Sequence, residues 1–154
     1  MNVEKNMIGT NLVAQIALVV NNVEKTAQTV ADFFGLENPP LIVTNDYELT
    51  GAKYLGEPTK TKAKIKVFHV GPNLDLELLE PNDEPSTWRD ELNKNGEGLH
   101  HLGFRIQGMD QLVEKMEANG FKLIQKGLNG NMETSYAYFD TKNELKFMVE
   151  LLGK

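Results

Sequence analysis

Hydrophobic and polar residues alternate in the same way at two places along the chain. Residues 13–20 align with residues 99–106, and the matching apolar positions are Ile16, Leu18 and Val20 with Leu102, Phe104 and Ile106. Alternation with a period of two is typical of a β-strand that buries one face. The repeat therefore predicts two related modules, each of which begins with such a strand.

An amphipathic helix is predicted after each of these strands. The first begins after Asn22, a residue type that favours helix N-termini, and ends at Gly35, and the second ends at Gly120. The remaining apolar runs predict closing strands, which span residues 41–44, 64–70 and 74–80 in the first half and residues 122–125, 134–139 and 144–152 in the second. Each half is thus predicted to be a βαβββ module, and a polar linker with a short helix, residues 82–98, joins the two.

Four polar side chains lie on the faces opposite to the apolar ones. Gln15 and His101 occupy matching positions of the opening strands, and Glu77 and Glu150 occupy matching positions of the closing strands. Because a pseudo-twofold repeat brings equivalent positions together, we expect the four side chains to meet in one cleft. Their oxygen and nitrogen donors suit a divalent ion such as zinc, nickel, cobalt or manganese in an open site. The alternative is that each is an ordinary solvated or hydrogen-bonded residue. His69 and His100 are expected to be structural or exposed.

Composition excludes several classes of function. The 154 residues carry 22 acidic and 16 basic side chains, a formal charge of −6, and include no cysteine. The acidic balance argues against a nucleic-acid partner, and the lack of cysteine excludes disulfides and thiolate metal sites. No apolar run reaches the roughly 20 residues that a membrane-spanning helix needs, and the first dozen residues lack the apolar segment of a signal peptide. We therefore expect a cytoplasmic protein that binds no membrane.

Three motifs carry a resemblance to a known family: GLHHLGF from residue 98, LDLELLEP from residue 74 and FMVELL from residue 147. With the two-module pattern, they resemble the vicinal oxygen chelate superfamily, which includes glyoxalase I, methylmalonyl-CoA epimerase, extradiol dioxygenases and the bleomycin-resistance proteins. The resemblance implies an α+β fold in which two βαβββ modules form an open sheet around a cleft. It implies one domain over residues 1–154, with module one at residues 10–81 and module two at residues 99–152.

The resemblance also implies roles for the site residues. In the superfamily the metal ligands lie on the first and last strands of each module, which here are the strands of Gln15, Glu77, His101 and Glu150. This ligand set resembles zinc-type glyoxalase I, whereas the sequence around His101 resembles methylmalonyl-CoA epimerase. The family resemblance implies that Glu150 is both a metal ligand and the general base, and that Glu77 is the second carboxylate, which returns the proton. Two features depart from the family patterns: Val19 stands where glyoxalase I has an arginine, and residues 64–69 lack the glutamate that serves the epimerases as a base.

The function that the resemblance implies is that of a metal-dependent lyase or isomerase. Such an enzyme removes a proton next to a carbonyl group and stabilises the enediolate or enolate on the metal. A small carbonyl compound or thioester is the expected substrate, as for lactoylglutathione lyase (glyoxalase I) or methylmalonyl-CoA epimerase. The alternative is a metal-free binding protein that sequesters a ligand, as the bleomycin-resistance proteins do. Extradiol dioxygenation is less favoured, since only His101 fits its need for two histidines, and a homodimer is expected.

Overall fold

The computed structural model describes residues 3–154, which form ten β-strands and five helices. The strands are β1 (Gln15–Val19), β2 (Ile42–Val43), β3 (Lys53–Tyr54), β4 (Glu57–Pro58), β5 (Ala63–Gly71), β6 (Leu74–Pro81), β7 (Gly98–Ile106), β8 (Lys122–Leu128), β9 (Ser135–Asp140) and β10 (Met148–Gly153). The helices are α1 (Val23–Phe34), α2 (Tyr47–Thr50), α3 (Thr87–Asn95), α4 (Met109–Ala118) and α5 (Lys142–Leu145). Within this described range no helix is long and apolar enough to cross a membrane.

All ten strands belong to one sheet, in the order β2-β5-β6-β1-β7-β10-β9-β8-β3-β4. The opening strands of the two modules, β1 and β7, pair with each other in antiparallel orientation. Each also pairs in parallel with the closing strand of its own module, β1 with β6 and β7 with β10. The sequence repeat is therefore a structural repeat, and the predicted α+β fold with an open sheet is confirmed.

Local sequence signals fix both ends of α1. The side-chain oxygen of Asn22 accepts a hydrogen bond from the backbone N–H of Lys25 at 2.9 Å, which satisfies one of the free donors of the first turn. Gly35 ends the helix with φ at 66°, a left-handed conformation that glycine adopts at little cost. The predicted start and end of this helix are confirmed.

Each module has an apolar core between its long helix and its strands. In module one, α1 packs Ala27 and Ala31 against a cluster that includes Leu78 of β6. In module two, α4 packs Val113 against a cluster that includes Leu151 of β10. Leu78 and Leu151 are positions that the alternation assigns to the helix side of the strands. The polar residues between such positions therefore lie on the opposite side of the sheet.

Three parts of the module architecture differ from the prediction, and the first is the short helix α2, which was not predicted. The closing strand of module two begins at Met148 rather than at residue 144, because residues 142–145 form the short helix α5. The hairpin of β3 and β4 was not predicted, since two-residue strands show no alternation. Its turn holds Leu55 and Gly56 at positive φ, 52° and 82°, and β3 pairs with β8 of the other module. The hairpin thus extends the far edge of the second module's half of the sheet.

Candidate metal centre in the cleft between the modules

Four neighbouring strands position the predicted site residues. Gln15 on β1 and Glu150 on β10 are both register partners of Gly103 on β7, so their side chains flank it from the two sides. His101 lies two residues before Gly103 on β7 and shares its face. Glu77 lies on β6, opposite the residue two positions after Gln15. All four side chains therefore lie on the side of the sheet that faces away from α1 and α4.

The four side chains form one connected cluster. Gln15 Nε2 donates a hydrogen bond to Glu77 Oε2 at 2.9 Å, and Gln15 Oε1 lies 3.0 Å from His101 Nε2. Glu150 Oε2 lies 2.9 Å from the same His101 nitrogen. His101 is fully buried, and Glu150 is 4% exposed. The structure thus brings the four side chains together, as the sequence predicts. Their role as metal ligands stays a prediction.

Gly103 leaves the space in which these side chains meet. A Cβ atom built on Gly103 would lie 3.0 Å from Glu150 Oε2 and 3.1 Å from Gln15 Cβ. Either distance is shorter than ordinary contact, so any larger residue would push the two side chains apart. Sequence reasoning did not single out Gly103, although a glycine inside a strand often marks such a close approach.

Burial and mutual charge perturb the ionisable groups of the cluster. Burial, together with the nearby Glu150 carboxylate, raises the pKa of Glu77 to about 7. Burial by itself favours the neutral form of His101, but the Glu150 carboxylate outweighs it, and the pKa of His101 is raised. Glu77 therefore holds a proton more tightly than an exposed glutamate does, and His101 holds one more tightly than an exposed histidine does.

The chemistry of the cluster fits a divalent cation. Among the described residues, buried Glu150 Oε2 has no hydrogen-bond partner of good geometry, although it lies 2.9 Å from His101 Nε2. An amide oxygen, an imidazole nitrogen and two carboxylates are donors that zinc, nickel, cobalt and manganese accept. Within residues 3–154 no three His, Asp or Glu side chains form a metal-holding group by themselves. The Gln15 amide separates Glu77 from the other two, so a site would need this amide as well.

The cluster opens onto a cleft of about 340 Å³ that both modules line. Its walls include Trp88 of α3 together with Tyr136 and Tyr138 of β9, and Trp88 Nε1 donates to the Tyr138 hydroxyl at 3.0 Å. Burial raises the pKa of Tyr136 to about 12, so its phenol is neutral. Thr61 also lines the cleft, and its buried hydroxyl has no hydrogen-bond partner among residues 3–154. The cleft thus offers aromatic surface with a few polar groups, the usual make-up of a small-molecule site.

His100 is a part of the site that sequence reasoning missed. Of the two expectations, structural or exposed, the structure shows the first: His100 is buried, and its Nδ1 lies 2.7 Å from Nδ1 of His101. Its other nitrogen, Nε2, lies 3.2 Å from the hydroxyl of Thr87 on α3. Burial and the neighbouring His101 lower the pKa of His100 well below its usual value. His69, in contrast, is exposed and pairs with Asp75 at 2.6 Å.

Comparison with solved structures supports the fold. The chain is similar to methylmalonyl-CoA epimerase from Mycobacterium tuberculosis, with a TM-score of 0.64 at 17% identity over 91% of this chain and 85% of that one. A variant of Streptomyces coelicolor methylmalonyl-CoA epimerase, in complex with 2-nitronate-propionyl-CoA, gives a TM-score of 0.63 at 21% identity, covering 91% and 94%. A hypothetical protein from Bacillus halodurans C-125 gives 0.62 at 19% identity, covering 93% and 94%. At such identities the likeness concerns the fold alone.

Comparison at the level of sequence gives the family. The uncharacterized protein YqjC of Bacillus subtilis (strain 168) is 27% identical over 106 residues, which are 66% of this chain and 74% of that protein. The family model described as "Glyoxalase/Bleomycin resistance protein/Dioxygenase superfamily" matches residues 14–139, a span that includes both opening strands. With the repeated modules and the cleft between them, this match shows that the chain belongs to the glyoxalase/bleomycin resistance/dioxygenase superfamily.

Proposed function

We propose that the protein is a metal-dependent lyase or isomerase that removes a proton from a carbon next to a carbonyl group. The single observation that supports this most is the buried cluster of two carboxylates and one imidazole, Glu77, Glu150 and His101, at the base of one cleft. A carbon acid needs a base and a means of holding the negative charge that develops on the carbonyl oxygen. The cluster has groups for both tasks.

Gln15, Glu77, His101 and Glu150 would hold the ion, for which zinc, nickel, cobalt and manganese are the candidates. When bound, such an ion supplies Lewis-acid stabilisation of the negative charge on the carbonyl oxygen. Gln15 would offer Oε1, and Glu77 would give up the hydrogen bond that it accepts from Gln15 Nε2. Buried carboxylates are costly without a cation, so an ion would relieve an unfavourable arrangement.

Glu150 is the proposed base and Glu77 the proposed second carboxylate. Glu150 takes the proton, and the electron pair of the C–H bond forms a C=C bond while the carbonyl pair moves onto oxygen. Glu150 then releases its proton to water while Glu77, on the other side of Gln15, takes one from water and gives it to carbon, so both carboxylates end in the state in which they began. Return to the neighbouring carbon gives a glyoxalase-type isomerisation, and return to the same carbon from its other face gives an epimerisation. Small carbonyl compounds and thioesters are therefore the proposed substrate classes.

The wall formed by β5 limits which residues can act as bases. Its cleft-side residues Ile65 and Val67 are the register partners of Leu79 and Glu77. Both are apolar, so β5 offers no carboxylate at these positions. The proton shuttle must then rely on Glu77 and Glu150.

Hydrogen–deuterium exchange tests this function. Metal-loaded protein is incubated in D₂O with hemithioacetals of simple 2-oxoaldehydes and with acyl-CoA thioesters, and exchange at the carbon next to the carbonyl is followed by NMR. We expect exchange with the wild type, exchange with the exposed control Glu144→Gln, and none above background with Glu150→Gln. If Glu150→Gln exchanges a confirmed substrate at the wild-type rate, the assignment of the base is wrong.

A binding function without metal is the second candidate. The aromatic wall of Trp88, Tyr136 and Tyr138, with ring centroids 5.4–6.0 Å apart, supports it, because such a wall suits a flat ligand. This candidate predicts that aromatic compounds quench Trp88 fluorescence to the same extent with and without zinc. The enzyme proposal predicts that ligand affinity depends on the metal.

We also propose that the protein is a cytoplasmic homodimer. Phe33 and Phe34 at the end of α1 are 80% and 63% exposed, and the edge strand β2 exposes Ile42 and Val43. Exposed apolar side chains and an edge strand each favour contact with another subunit. Sedimentation equilibrium should then give twice the monomer mass.

A further inference from the structure

We propose that His100 is the positioning residue for His101: it accepts a hydrogen bond from the Nδ1–H of His101 and so turns the Nε2 of His101 toward the ion. The inference rests on the proposed metal site, and it deepens that proposal by assigning a role to a histidine that would not itself touch the metal.

A β-bulge places the two imidazoles together. Consecutive residues of a strand normally point to opposite faces, which would separate His100 from His101. Here Ala17 of β1 pairs with His101 and Leu18 pairs with Leu99, so His100 is an extra residue without a partner on β1. Bulges redirect side chains in this way and are frequent beside functional sites. The two rings meet nearly at right angles, with an interplanar angle of 88°.

The hydrogen-bond chain has one direction when the ion is bound. Nδ1 of His100 and Nδ1 of His101 are 2.7 Å apart, so one must donate and the other must accept. A neutral imidazole carries a hydrogen on only one nitrogen. If Nε2 of His101 gives its lone pair to a metal, the hydrogen of His101 must be on Nδ1. His100 is then the acceptor and carries its own hydrogen on Nε2.

The outer contacts of His100 match this direction. Its Nε2 lies 3.2 Å from Thr87 Oγ1, which can accept, and Thr87 Oγ1 in turn lies 3.3 Å from the sulfur of Met148. Thr87 is itself held in place, because its backbone N–H donates to Gln125 at 2.9 Å. Each donor from His101 outward thus meets an acceptor. Metal-binding histidines are usually oriented through their second nitrogen, and His100 supplies that contact here.

Two substitutions at His100 separate positioning from packing. His100→Asn keeps an acceptor one bond beyond Cγ, whereas His100→Leu fills similar space without one. The probe is Zn²⁺ alone, and its affinity is measured by competition with a chromophoric chelator. We expect His100→Leu to weaken zinc binding by about 10- to 100-fold and His100→Asn to recover most of the loss. Thr87→Val, one step further out, should cost less than His100→Leu.

The wild-type protein gives a second test that does not depend on whether the variants fold. With ¹⁵N-labelled histidine and bound zinc, NMR should find hydrogen on Nδ1 of His101 and on Nε2 of His100. Hydrogen on Nδ1 of His100 in the zinc complex would overturn the inference, as would wild-type zinc affinity in a folded His100→Leu variant. If the wild type binds no zinc, the proposed function fails together with the inference. If the wild type binds zinc and only the His100 results disagree, the function stands and the inference alone is wrong.

Discussion

Gly103→Ala is the perturbation that tests the site through its shape rather than through its donors. The added methyl group would lie 3.0 Å from Glu150 Oε2 and 3.3 Å from Gln15 Oε1, both closer than the 3.4 Å at which ordinary contact begins. Glu150 Oε2 must then retreat by about 0.4 Å, whereas ligand distances in a well-formed metal site vary by only about 0.2 Å. We expect zinc affinity to fall by about tenfold or more, as when the support of a ligand is removed.

Chelator competition measures this change, and urea unfolding shows whether the variant is folded. Overpacking typically costs about 1–3 kcal/mol, which leaves a protein of ordinary stability folded. Gly71→Ala, in the same sheet, is the matched control, because its methyl group would meet only Leu74 Cβ at 3.8 Å. Zinc affinity in folded Gly103→Ala equal to that of the wild type would refute the view that Gln15 and Glu150 bind one ion.

Three further predictions concern stability. Thr61→Val should raise the free energy of unfolding, measured in urea, by about 1 kcal/mol, because it removes a buried hydroxyl that has no partner among the described residues. The control Thr59→Val loses a hydrogen bond to the Pro85 carbonyl and should lower the free energy of unfolding by about the same amount. Asn22→Ala should cost about 1 kcal/mol by loss of the α1 cap, seen as a lower unfolding midpoint. The free energy of unfolding of the metal-free protein should fall by roughly 1–3 kcal/mol as the pH rises from 5 to 8. The reason is that the pKa of Glu77 is raised from 4.5 to about 7, so the folded state binds the proton more tightly than the unfolded chain does. Saturating zinc should reverse this slope, since the ligands bind it without their protons, and an unchanged slope would count against Glu77 as a ligand.

The strand faces could be predicted from the sequence because period two ties each residue to one side of a strand. Once Leu78 and Leu151 are assigned to the helices, Glu77 and Glu150 must point the other way. The repeat supplies the rest, since matching positions of two similar modules approach a common axis. This reasoning places Gln15 in the cluster before any distance is known.

The features that could not be predicted depend on contacts between distant parts of the chain. The bulge that turns His100 toward His101 arises from the pairing of β7 with β1, and the alternation pattern alone places His100 on the wrong face. The β3–β4 hairpin is held by its pairing with β8 rather than by its own sequence. The importance of Gly103 follows only from the positions of Gln15 and Glu150 on the two neighbouring strands.

The metal content of the untagged protein decides whether the cluster of Gln15, Glu77, His101 and Glu150 binds an ion. Elemental mass spectrometry is applied to the wild type, to His101→Ala and to Glu150→Ala, each after incubation with zinc, nickel, cobalt or manganese and removal of the excess. We expect about one divalent ion per chain in the wild type and a large loss of it in both variants. A wild type that stays empty with all four metals, or variants that keep the ion, would contradict the assignment of this cluster as a metal centre.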